Sequence, residues 1–293
     1  MNAFAPRLSP DARPVSTLLR APSIEITSKD VTGLAGAAGT LAPGTPISIT
    51  SLPGERLDQR LAAARAVLDN GFRPVPHIAA RRVRSVQELE TLVAAFADIG
   101  AAQHLFLVAG DQEVAEGPFP DSLALIRSGV LARQGVERIG IAGYPEGHDR
   151  IEQALLWAAL RDKAVEVSEQ GLELEIVTQF GFEADLAAAW IRRVRDEAIT
   201  APIRIGVPGP ASAGALLRFA ARCGVRASGS ALRKYGLSVT KLMQSAGPDT
   251  YIADVAAALA TFPAGDVGLR FYPFGGLAST VRWIAGAQDA ARA

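Results

Sequence analysis

Short β-prone runs alternate with longer Ala- and Leu-rich stretches along most of this chain, mostly at intervals of roughly 25–35 residues, the size of one βα unit. The runs lie at 23–26, 47–50, 73–78, 104–108, 138–142, 174–178, 204–207 and 268–272. The one from His104 to Val108 is apolar on consecutive positions, as in a parallel strand covered on both faces. Eight such units suit a closed (β/α)8 TIM barrel, and an open doubly wound sheet is the alternative. Helices are expected between the strands at 55–70, 85–99, 119–134, 148–170, 183–198, 213–223 and 249–260. Asn70-Gly71 reads as a helix stop, and Ser85 precedes Glu88 at capping-box spacing. The segment 224–247 is less regular and has room for an extra helix. Residues 1–22 read as an N-terminal surface arm, and 23–293 as one barrel domain.

Apolar residues make up 49% of the 293, enough for the core of one barrel. Lys+Arg and Asp+Glu both number 30, so no basic field points to nucleic acid and no polybasic stretch to a membrane surface. Cys223 is the sole cysteine, which excludes an internal disulfide and suits a reducing cytoplasm. The first twenty or so residues lack the apolar core of a signal peptide, and no run of about 18 apolar residues predicts a membrane span. Assembly into a homo-oligomer is left open.

Polar chemistry just past the carboxyl ends of barrel strands marks an active-site rim. There the sequence delivers Glu25, Thr50-Ser51, His77, Gly110-Asp111, Tyr144, Gln179 and Tyr272. Such a set binds and polarises a heteroaromatic ligand and moves a proton. Glu25, inside an apolar strand, is a carboxylate exposed on the strand, the partner of a structural Arg, or a partly desolvated acid raised enough to donate a proton near neutral pH. Asp111 either caps a turn or faces a ligand, with Gly110 letting the backbone approach closely. His104 is expected to pack, and Cys223 to be a small core residue. His77 and His148 lack metal-ligand spacing, so no metal is expected. Gly33, Gly36 and Gly39 do not follow a dinucleotide fingerprint. Residues 208–212 follow the seventh strand, a common phosphate-loop position.

Several ordered pieces resemble the methylenetetrahydrofolate reductase family: Gly54-Glu55-Arg56, Pro76-His77, Gly110-Asp111, Tyr144-Pro145-Glu146-x-His148, Thr178-Gln179-Phe180 and Phe271-Tyr272, spread over residues 23–272. The resemblance implies a (β/α)8 barrel holding FAD, with NAD(P)H as co-substrate and a folate as substrate. It implies reduction of 5,10-methylenetetrahydrofolate to 5-methyltetrahydrofolate, or the reverse in one-carbon salvage. Glu25 looks like the general acid that protonates the folate N10, and Asp111 like the carboxylate near flavin and pterin. Thr50, Ser51, His77, Ala109, Gly110, Asp111, Tyr144, His148 and Lys163 fall on flavin-binding positions. Gln179, with Phe180 and Tyr272, falls on positions that contact pterin or nicotinamide. The family usually carries Arg where this chain has Ala109, and a folate-holding Arg in register with Gly275-Gly276. Three alternatives stand beside this reading. One is another folate-binding barrel enzyme, such as a methyl-transfer enzyme, and another is a non-catalytic folate-binding partner subunit without tightly held flavin. The third is an aldolase-like lyase, which Lys163, Lys234 and Lys241 serve poorly because none ends a predicted strand.

Overall fold

The structure is a computed structural model that describes residues 13–225 and 245–291. Lys234, Lys241 and most of the segment expected to hold an extra helix lie outside the described residues. Eight parallel strands, β1 (Ser23–Ile26), β2 (Pro46–Ile49), β3 (Arg73–Ala79), β4 (His104–Val108), β5 (Arg138–Gly143), β6 (Glu173–Phe180), β7 (Ile203–Pro208) and β8 (Val267–Tyr272), form a closed barrel. Closure rests on β1, which pairs with β2 through Ile24↔Ile47 and with β8 through Ser23↔Arg270, so the open sheet is excluded.

Strand periodicity sorts the side chains. Leu105, Leu107, Ile139, Ile141, Ile205 and Leu269 face outward and join the main core under the helices. Burying each contributes about 1.5–3 kcal/mol. Val75, Phe106 and Val177, with Val108 and Ala142, form a separate cluster inside the barrel. The same inward register also carries His77, His104, Glu175, Arg204 and Arg270, an unusually polar set for a barrel interior.

The helices are α1 (Leu57–Asp69), α2 (Val86–Ala97), α3 (Ser122–Arg127), α4 (Gln153–Glu169), α5 (Ala184–Asp196), α6 (Ala213–Cys223), α7 (Asp249–Leu259) and α8 (Leu277–Ala290), with shorter helical turns elsewhere. The helix expected at 119–134 is broken at Gly129, whose φ of 67° is left-handed, and resumes at Val130–Arg133. The one expected at 148–170 starts only at Gln153, because His148 bridges Ile151 first. Helix α8 was not expected. Its Trp283 lies 5.7 Å from the Phe271 ring and seals the outer face of β8. The second half of the supposed surface arm is packed: Arg13–Leu18 is helical, and Val15, Leu18 and Leu19 are buried. Ser85 caps α2 by accepting from the Glu88 N–H at 3.0 Å. No helix among the described residues is long and apolar enough to cross a membrane.

Toward the N-terminal ends of the strands, Arg204 donates to Glu175 at 2.9 Å and to Asp266 at 2.7 Å. His104 Nε2 stands 3.4 Å from Glu175 Oε1, and neither ring nitrogen makes a hydrogen bond. Burial, then the Arg138 and Arg73 charges, hold its pKa at about 3. Burial, then Arg270, likewise holds His77 well below the ordinary histidine value. Both rings are therefore neutral in the fold and take up protons on unfolding. Their stabilising effect is present above about pH 6.5 and is lost as the pH falls below it. Chemical denaturation is expected to show stability falling between about pH 6.5 and 4, by about 1.4 kcal/mol per pH unit from His104, with His77 adding a loss in the same direction. A flat profile would mean that the two rings are not buried neutral.

Candidate functional site

The C-terminal mouth of the barrel is built around Glu25. Ile24 and Ile26 face the outer core, so Glu25 between them faces inward. Arg270 occupies an inward position on β8, is 2% exposed, and donates from one terminal nitrogen to Glu25 Oε2 at 2.7 Å. The same nitrogen lies 3.0 Å from His77 Nε2. Because His77 is neutral, Nε2 is the acceptor there. The guanidinium also sits over the Phe106 ring, 5.0 Å from its centroid. Glu25 is thus paired with a buried Arg while its own side chain stays partly exposed.

Two residues beyond Arg270, Tyr272 shares its face and reaches across to β6, its hydroxyl donating to the Thr178 carbonyl at 3.2 Å. Burial, then the Glu25 charge, pushes this phenol upward. Strand β6 carries a bulge here. Val177 pairs with Arg204 and Phe180 with Gly206, so Thr178 and Gln179 face the single residue Ile205. The Gly206 N–H donates to Thr178 Oγ1 at 2.8 Å and stitches the bulge shut. The kink brings Phe180 within 5.6 Å of Tyr272 and 4.8 Å of Phe274, while Phe274 stacks on Phe219 at 4.1 Å. The mouth thus has an aromatic wall beside a carboxylate.

Helix α6 reaches back to this mouth. The Cys223 thiol at its end is pushed upward by burial and then by the Glu25 charge. A Cβ on Gly224 would stand 3.4 Å from Asp149 in the loop after β5. Ser212 caps α6, and Ala211-Ser212 pairs with Ser245-Ala246, so the last two residues of the 208–212 loop form a small ribbon and a helix cap.

On the rim, Gly110 adopts φ +100° and turns the chain after β4. Asp111 follows with a side chain 69% exposed and accepts from Arg82 at 2.5 Å. Burial pushes its carboxyl up, but the Arg82 hydrogen bond and charge prevail and hold it below the usual range. Arg82 also donates to the Ser51 carbonyl at 2.8 Å. Tyr144 packs edge-on to His148 at 5.4 Å, with burial raising the phenol and lowering the imidazole. Glu146 accepts from the N–H groups of Phe182 and Glu183 and so ties the β5 loop to the start of α5. Gln179 accepts from the Phe180 N–H at 3.0 Å.

The residues assigned to a flavin do not converge on one surface. His77 lies inside the barrel against Arg270, and the Thr50 hydroxyl donates to the Ile26 carbonyl at 3.1 Å. Lys163 sits ten residues into α4, about 15 Å along its axis, where burial lowers its ammonium and Asp121 opposes that shift. Gly110, Asp111, Tyr144 and His148 remain on the rim loops, and Ala109 offers only its carbonyl, which accepts from the Arg81 N–H at 2.9 Å. His77 and Lys163 thus lie apart from the rim, where Arg82 links Ser51 to Asp111 and Tyr144 packs on His148. No group of three or more His, Cys, Asp or Glu side chains among the described residues is placed to hold a metal ion. Arg270 and Arg82 escaped the sequence reading. The one available signal was the inward spacing of Gly268, Arg270 and Tyr272 along β8.

No protein-family model matches the chain. Among solved structures, an uncharacterized protein from Clostridium thermocellum that binds two copies of 5-methyl-5,6,7,8-tetrahydrofolic acid superposes with a TM-score of 0.59 at 14% identity, covering 95% of this chain and 98% of that one. Dihydropteroate synthase from Thermus thermophilus superposes with a TM-score of 0.50 at 17% identity, covering 92% of this chain and 93% of that one. At these identities the likeness is one of fold, a (β/α)8 barrel.

Proposed function

We propose that this chain binds a reduced folate at the C-terminal mouth, with the pterin edge on Glu25. The observation that carries the reading is the partly exposed Glu25 carboxylate, backed by the buried Arg270, whose guanidinium lies 5.9 Å from the Tyr272 ring that stacks on Phe274. A pterin presents two adjacent N–H donors, its ring N3–H and its 2-amino group, which match the two oxygens of a carboxylate. Tyr272 and Phe274, stacked at 5.8 Å with 24° between their planes, offer a flat apolar face for the ring. The barrel shared with a tetrahydrofolate-binding protein and with a dihydropteroate synthase agrees with this ligand class. The chain is then a folate-binding barrel, enzyme or partner subunit, that works without tightly held flavin. Glu25 orients the ring, the aromatic wall excludes water from one side of it, and α6 bounds the opening.

Calorimetric titration with 5-methyltetrahydrofolate is expected to give saturable binding, and p-aminobenzoylglutamate, which lacks the pterin, to bind at least about tenfold more weakly, a difference of ~1.4 kcal/mol. Equal affinity for the two, or no binding of either, would refute the reading.

Flavin-dependent reduction of methylenetetrahydrofolate is the second reading. It is favoured by the Arg82–Asp111 pair, which supplies from the β3 loop a cation that Ala109 does not provide. The visible spectrum of the purified protein, before and after adding FAD, separates the two.

A further inference from the structure

We propose that Arg270 and His77 are positioning residues, which turn the Glu25 carboxylate so that one oxygen is held from inside the barrel and the other is presented to the pterin edge. The inference rests on the folate reading for its ligand, but its geometry stands without it. Arg270 is buried, its terminal nitrogen is shared between Glu25 Oε2 at 2.7 Å and His77 Nε2 at 3.0 Å, and Phe106 covers its face. Among the described residues, both close contacts of Glu25 fall on the same oxygen, since His77 Nε2 stands 3.8 Å from Oε2. That leaves Oε1, and the second lone pair of Oε2, for the paired donors of a ligand.

His77 sets the direction of the guanidinium. Its own backbone is fixed, because its carbonyl accepts from Arg60 at 2.6 Å. Its neutral ring offers a lone pair and no competing charge, so Glu25 is the anion facing the Arg270 terminus. One terminal nitrogen serves both acceptors, so what matters is where the rigid, planar guanidinium, lying over Phe106, holds that nitrogen. A lysine ammonium has donors enough for both but sits on a flexible stem, without the flat group that Phe106 covers, and loses that placement. The placement of the guanidinium therefore fixes the orientation of Glu25, and with it the angle at which a planar heterocycle with paired N–H donors is accepted.

The test compares the wild-type chain with Glu25→Gln, Arg270→Lys and the double variant, using 5-methyltetrahydrofolate as the probe. Each single change is expected to weaken binding at least about tenfold, and the double to be little worse than the weaker single, because both remove one arrangement. Additive losses, or Arg270→Lys binding within about twofold of wild type, would overturn the proposal. A second readout needs no ligand. The carboxyl 13C signal of Glu25 is expected to move on Arg270→Lys and on His77→Phe, with circular dichroism verifying that each variant is folded. An unchanged signal in both folded variants overturns the positioning role. If the wild type binds no folate but the signal moves, the ligand reading fails and the positioning role stands. Should either variant not fold, the signal of the other decides.

Discussion

Replacing Glu25 by Ala is expected to abolish saturable binding of 5-methyltetrahydrofolate and to cost about 3–5 kcal/mol of folding stability. The stability loss follows from what is left behind. Arg270 is 2% exposed, and its Nε already lacks a hydrogen-bond partner. Without Glu25 its terminus faces only the neutral His77, so a cation remains in the barrel with no anion beside it. Breaking a buried pair from one side is costly because the surviving charge has lost both water and partner. Glu25→Gln separates the two effects. It keeps an oxygen for Arg270 and the shape of the side chain, so most of the stability should return. It gives up the charge, and charge-assisted hydrogen bonds contribute about 1.5–3 kcal/mol, so binding should weaken about tenfold to hundredfold. Urea unfolding and calorimetry on the same samples decide the matter. A Glu25→Ala protein as stable as wild type would mean that Arg270 finds another anion, and undiminished folate binding would move the ligand elsewhere.

The barrel was legible because each β-prone run is closed by a turn and followed by a long helical stretch, and local signals of that kind survive without knowledge of contacts. Four of the eight strands keep the start that the sequence assigned, among them Ser23–Ile26 and His104–Val108. The site was legible only in part. Glu25 stood out as a carboxylate among apolar neighbours. Its partner did not, because Arg270 lies 245 residues away and meets it only when β8 closes onto β1. His77 is expected on the rim, yet it lies within β3, in register with Phe106 of β4, and so belongs to the interior. Asp111 was placed correctly at the turn after β4, but its cation comes from Arg82 on the neighbouring loop, which strand spacing does not reveal. Lys163 is a different case: its position is carried over from a family, and it lies in the second half of α4 rather than at a strand end. Helix α8 went unseen because it follows Gly275-Gly276 and its first turn, Leu277-Ala278-Ser279-Thr280, carries little apolar stripe.

Gly206→Ala is expected to destabilise the fold by about 3 kcal/mol and to weaken folate binding, although residue 206 offers no group to a ligand. A Cβ at this position would lie 2.5 Å from the Thr178 carbonyl oxygen and 2.7 Å from the Phe180 nitrogen. Both are backbone atoms of the β6 bulge, so no rotamer change relieves the contact, and β7 must move away from β6. That movement breaks the Gly206 N–H bond to Thr178 Oγ1 and shifts the carbonyl that holds the Tyr272 hydroxyl. Phe180 and Tyr272 then lose their mutual placement, and the aromatic wall beside Glu25 goes with it. Gly36→Ala is the matching control. It lies in the helical turn Leu34–Ala37, meets nothing within 4 Å, and should change stability by less than about 1 kcal/mol. Thermal unfolding and folate titration of the two variants test the chain of cause from a missing side chain, through a strand bulge, to a binding surface. Wild-type stability and affinity in Gly206→Ala would show that the bulge yields without disturbing the mouth, and the aromatic wall would then need another origin than the packing of β7 against β6.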